Sequence, residues 1–117
     1  TCVQALSAVG EPGVLAGCYN GYVYRLDGRG AVLWQQYVEE AVRSLVLCAA
    51  GGGVSPGSLL VGTGGGLVLR MGIEGRVEGI WDVAAPVRRM RIGGLDGRCN
   101  DLVVATDDGC IRSLPLG

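Results

Sequence analysis

Apolar residues in this chain come in short runs, most of them four to seven residues long, and glycine or acidic turns separate them. In YVYRLD (residues 22–27) and VRSLVL (residues 42–47), apolar and polar positions alternate. Successive side chains of an extended backbone would then point to opposite faces. Both segments are rich in Val, Leu and Tyr, residues that suit a pleated surface. Between the runs, YNG, GGG and DDG place Gly21, Gly66 and Gly109 where a tight hairpin needs positive φ. LDGRG and GIEG do the same for a following hairpin. The pattern predicts a chain of antiparallel strands. One stretch, YVEEAVRSLVL (residues 37–47), also fits a helix, but its place in the sequence favours a connector followed by a strand.

That place is set by an internal repeat. VLAGCYNGYVYRLDGRGAVLW from Val14, LLVGTGGGLVLRMGIEGRVEGIW from Leu59 and LVVATDDGCIRSL from Leu102 share one layout. A small apolar strand reaches a turn, a glycine follows, and a second strand begins. The first two copies carry an arginine at the same point (Arg25, Arg70) and run on to a strand expected to end at Trp34 or Trp81. A further strand precedes each copy: VRSLVL from Val42, VRRMRI from Val87 and, more weakly, VQALSAV from Val3. The copies recur at about 40 to 45 residues, the spacing of a four-stranded propeller blade. The expected fold is therefore all-β: a partial β-propeller of about two and three-quarter antiparallel blades. Blade one is assigned to residues 3–36, blade two to 42–83 and an incomplete blade three to 87–116. Closed propellers have about 4–8 blades. Further chain or a partner is thus expected to complete the ring, and a chain that opens on Thr1 is expected to be processed or to belong to something longer.

Composition narrows the functional classes. At 117 residues, with 49% hydrophobic residues, there is material for one domain with a real core. With 18% charged residues and a net charge of −1, neither disorder nor nucleic-acid binding is expected. No apolar stretch is long enough for a spanning helix, so membrane insertion is not expected. The five cysteines (Cys2, Cys18, Cys48, Cys99, Cys110) lack CxxC spacing, which points away from a zinc site or disulfide framework and towards a reducing, intracellular setting. There is no histidine, hence no Ser-His or Cys-His arrangement, and neither catalytic residues nor a cofactor are expected.

The segment NGYVYRLDGRGAVLWQQ, from Asn20 to Gln36, resembles the repeat of quinoprotein (PQQ-like) propellers, with a partial likeness over Gly65–Asp82 where Gly72 replaces the aspartate. IGGLDGRCNDLVVATDDG resembles the FG-GAP, integrin-α-like repeat; Asp96 and Asp101 match its calcium loop, while Gly94 and Arg98 stand where two further acids belong. Trafficking-coat propellers of the Bardet–Biedl type use similar degenerate blades, with strands like VRSL followed by LLVG. The resemblance implies a cytoplasmic or cilium-associated setting and a fold that hosts many roles.

Each candidate site has a plainer reading beside it. Calcium takes six to eight oxygens, and a loop that has lost two acids and gained Arg98 is better read as turn-forming. Asp96, Asp101, Asp107 and Asp108 are therefore expected to shape turns. Trp34 and Trp81 are expected to wedge between neighbouring blades rather than hold a ligand. Arg88, Arg89 and Arg91 form a basic cluster, with Arg43 as the counterpart of Arg88. They are expected to be solvated or to face a protein partner. GTGGG (Gly62–Gly66) lacks the lysine and helix of a phosphate loop and is read as a hairpin. The acidic pair Glu39–Glu40 is expected to face solvent. The function expected is a non-catalytic scaffold that binds protein partners or the remaining blades of its own protein. The alternative is a fragment of a quinoprotein-like enzyme or of a calcium-stabilised ligand-binding propeller.

Overall fold

A computed structural model describes residues 2–5, 13–48, 58–72, 74–93 and 101–115. Eleven strands run in chain order: β1 (Cys2–Ala5), β2 (Val14–Gly17), β3 (Tyr22–Leu26), β4 (Val32–Tyr37), β5 (Val42–Cys48), β6 (Ser58–Thr63), β7 (Leu67–Gly72), β8 (Val77–Asp82), β9 (Val87–Gly93), β10 (Asp101–Thr106) and β11 (Ile111–Pro115). They form three antiparallel sheets, β1-β2-β3-β4, β5-β6-β7-β8 and β9-β10-β11, with no helix among the described residues. The first strands of successive sheets touch, β1 against β5 and β5 against β9, so the sheets fan out from a common line. This is a partial β-propeller. The stretch at 37–47 resolves into the end of β4, a four-residue connector and β5.

The hairpins follow the turn chemistry. Gly21, Gly66 and Gly109 close the second-to-third-strand turns at φ of 91°, 95° and 83°, a region other residues enter only at a cost. Two connectors between blades take the same backbone shape without glycine: Glu39 at φ 70° and Ala84 at φ 64°. The Asp82 carboxylate accepts the Ala84 N–H at 2.8 Å and holds the turn. Left-handed backbone costs a non-glycine residue about 1–2 kcal/mol, against about 0.5–1 kcal/mol of extra chain entropy for glycine. Ala84→Gly is therefore expected to stabilise the chain by about 0.5 kcal/mol, read as a raised Tm in thermal unfolding.

Two apolar clusters hold the blades together. Leu15, Val23, Val42, Leu45, Leu59, Val61, Leu69 and Met71 meet between blades one and two. Leu60, Val68, Val83, Val87, Met90, Leu102 and Val104 meet between blades two and three. Blade two is therefore apolar on both faces, which explains why LLV at 59–61 does not alternate: Leu59 and Val61 face one neighbour and Leu60 the other.

The strand registers correct one alignment. β4 runs three residues beyond Trp34 and β8 one beyond Trp81, so neither tryptophan ends its strand. Trp34 pairs with Arg25, but Arg70 pairs with Gly79, and Trp81 pairs with Val68. The two tryptophans are thus two positions apart in the repeat, on the same face. A β-carbon at Gly79 would lie 3.9 Å from Trp81 Cη2, so the second indole reaches towards the place that Trp34 occupies in blade one. Trp34 packs on the blade one–two cluster and lies over Gly75 in the turn of the next blade. Trp81 packs on the blade two–three cluster.

Candidate functional site

The repeat makes residues comparable by position. Gly17, Gly62 and Ala105 pair with Val23, Val68 and Ile111, respectively. Leu15, Leu60 and Val103 sit two residues earlier on the same face. In blades one and two, Leu15, Val23, Leu60 and Val68 are each 0% exposed, because the following blade covers them. In blade three, Val103 is 38% exposed and Ile111 75%. With Ala105, Arg89 and Arg91 they line a shallow groove of about 190 Å³. This apolar, arginine-rimmed face is the candidate site. Arg89 and Arg91 come from β9, two residues apart and so on one side of the strand.

Close approach between blades depends on glycine at Gly17 and Gly62. A β-carbon at Gly17 would fall 2.3 Å from Val42 Cγ1, and one at Gly62 would fall 2.5 Å from Val87 Cγ1. Sequence reading missed this pair; the repeat alignment, which sets Gly17 against Gly62 just before each turn, held the signal.

A second set of contacts lies at the rim, where hairpins meet connectors. The Val42 N–H donates to the Cys18 carbonyl of blade one, and the Ala41 carbonyl accepts the Gly64 N–H at 2.8 Å. The Pro86 carbonyl accepts the Asp107 N–H in the same way. Arg43 Nη1 reaches the Asp107 carboxylate of blade three at 2.7 Å, and the hydrogen bond raises the arginine's pKa. Both Arg43 and Arg88 are the extra residues of β-bulges: β5 pairs with β6 through Val42 and Ser44, and β9 with β10 through Val87 and Arg89. A bulge leaves its extra residue unpaired in the ladder and re-aims its side chain.

Buried hydroxyls show a paired exchange. Thr63 and Thr106 occupy the same repeat position and are nearly inaccessible. Thr63 donates to Glu40, which arrives from the connector. Gly65 leaves room for it, since a β-carbon there would overlap the carboxylate. Thr106 donates to Asp108, which stands where blade two has Gly65, and the connector opposite carries Ala85. Glu40 is therefore not simply solvated as expected; Glu39 is exposed. The Thr106 hydroxyl, and then the Cys110 N–H, hold Asp108 below the ordinary aspartate pKa. A lowered native pKa contributes stability above the unfolded value and loses it as pH falls through the native one. Acid thermal melts should accordingly show a fall in Tm across that interval, and a smaller fall in Asp108→Asn.

Asp101 opens β10, paired with Gly93 and Pro115 in the sheet. Asp96 lies outside the described residues. No group of three or more His, Cys, Asp or Glu among the described residues could hold a metal ion. Cys18 and Cys110 are free thiols.

No known family and no curated protein matches the sequence. Solved structures do match. BBS1N, in its complex with ARL6DN, aligns with 90% of this chain at 23% identity and TM-score 0.78. Sqt1 of Saccharomyces cerevisiae aligns with 97% at 15% identity and TM-score 0.78. The β-propeller domain of Myceliophteria thermophila Cps50 (Swd1) aligns with 99% at 17% identity and TM-score 0.78. The chain covers 32%, 32% and 35% of those structures, so it spans about a third of each. At these identities the likeness is one of fold.

Proposed function

We propose that this chain is a non-catalytic propeller scaffold that works through protein–protein contact, within a larger protein or a multi-subunit assembly. The observation that carries the reading is the open face of blade three. It keeps Val103 and Ile111 at positions that are closed to solvent in the two preceding blades. Apolar side chains kept at interface positions are suited to a covering surface. The outer edge of β11 is also unpaired within its sheet, which suits strand addition by a partner. The complex of BBS1N with ARL6DN is a precedent for a propeller with a protein partner. The quinoprotein-like and FG-GAP-like resemblances of the sequence are read as architectural ones, and an intracellular setting suits the free thiols Cys18 and Cys110.

Sedimentation combined with thermal unfolding tests the reading. The 12.0 kDa chain on its own is expected to self-associate or to melt broadly, and to become a sharply melting species of defined mass with its partner blades. A monomer that melts sharply alone, at every concentration, would overturn it.

A further inference from the structure

The Arg43–Asp107 pair has a second half that is unfilled. Arg43 stands in the bulge at the start of β5 and crosses to the second-to-third-strand hairpin of the following blade, where Asp107 receives it at 2.7 Å. Arg88 stands in the matching bulge at the start of β9. It is exposed, and among the described residues no acid pairs with it. Arg89 and Arg91, one and three residues further along β9, line the apolar groove, and Asp101 lies at the far end of the same face of β10. We propose that this face takes one further antiparallel blade, and that the hairpin between that blade's second and third strands presents a carboxylate to Arg88. The proposal rests on the scaffold reading and specifies its partner chemistry.

The face also sets a steric condition. Val42 and Val87 approach Gly17 and Gly62 so closely that no β-carbon fits there. At the corresponding point on the open face, blade three carries Ala105. A blade with valine opposite, docked in the same register, would collide with that methyl. The occupant therefore carries glycine or alanine where Val42 and Val87 stand, just before the position of its own bulge. A second copy of this chain fits less well, because its first hairpin has Tyr19, not an acid, at the place of Asp107.

The chain contains no lysine, which makes Arg88→Lys a selective amine probe. The native assembly carrying Arg88→Lys is treated with a zero-length carbodiimide, digested and read by mass spectrometry, with Arg43→Lys in parallel. The expected result is an amide, formed with loss of one water, between the introduced amine and an Asp or Glu in a second-to-third-strand hairpin of the adjoining blade. Arg43→Lys should couple to Asp107. Coupling of Arg43→Lys alone, or coupling of Arg88→Lys to a carboxylate elsewhere, would overturn the proposal. So would failure of Arg43→Lys to reach Asp107, because the geometry is argued from that pair. Sedimentation of the same samples separates the two readings. An intact assembly without the Arg88 link defeats the latch and leaves the scaffold standing. A free monomer defeats both.

Discussion

Gly62→Ala is expected to destabilise the chain by about 1–3 kcal/mol, the usual cost of overfilling a packed interior. The added methyl would sit 2.5 Å from Val87 Cγ1 and 3.1 Å from Met90 Sδ, both on the strand that begins blade three. Val87 is wholly buried and packed in the blade two–three cluster with Met90, so relieving the overlap means shifting packed side chains. The same methyl on an exposed strand glycine would be neutral or helpful, because alanine restricts the unfolded chain. Removing the obstacle should reveal the cause. Val87→Ala alone opens a cavity, but combined with Gly62→Ala it should cost less than the two changes added together. Residues in direct contact couple by about 0.5–3 kcal/mol. Urea unfolding of the four proteins, with equal m-values, measures that coupling; simple additivity would show that the glycine acts through something other than this contact.

Much of the architecture was legible because two short-range signals agreed. Glycine at the third turn residue and alternating apolar runs both marked the same hairpins, at Gly21, Gly66 and Gly109. Repetition then reduced the ambiguity of YVEEAVRSLVL, since its counterpart before VRRMRI contains Pro86. What could not be read was anything set by contact between blades. Trp34 and Trp81 look equivalent because each closes its aligned segment a few residues after a glycine turn, at Gly30 and Gly75, yet the registers place them two positions apart in the repeat. Only the space over Gly79 shows why both serve the same face. The acids of the connectors were equally opaque. Glu40 looks like one of a solvated pair until the buried Thr63 hydroxyl is placed beside it.

The Glu40 and Asp108 arrangements show that the repeat fixes a physical requirement, not a residue. A buried threonine hydroxyl needs an acceptor, since an unpaired one would cost about 1–3 kcal/mol. Blade two supplies the carboxylate from the connector and keeps Gly65 bare beneath it. Blade three supplies it from the hairpin itself and pairs it with Ala85. Blade one avoids the requirement by carrying Cys18 at that position, and Asn20 accepts the Tyr22 N–H instead. Three local solutions for one backbone geometry explain why the copies diverge in sequence while their strands superpose in register.

The same reasoning predicts opposite outcomes for two changes at one repeat position. Leu60→Ala removes a fully buried side chain from the blade two–three cluster, and a loss of about 2–5 kcal/mol is expected. Val103→Ala, one blade further on, removes a side chain that is 38% exposed on the open face. In the isolated chain it should cost less than about 0.5 kcal/mol, as surface changes do. In the native assembly the difference should shrink, because a covering blade would turn Val103 into the interface residue that Leu60 already is. Thermal melts of both variants, alone and assembled, read this directly. If Val103→Ala remains neutral while the assembly is intact, the face is not where the scaffold meets its neighbour, and the contact must be sought along the free edge of β11.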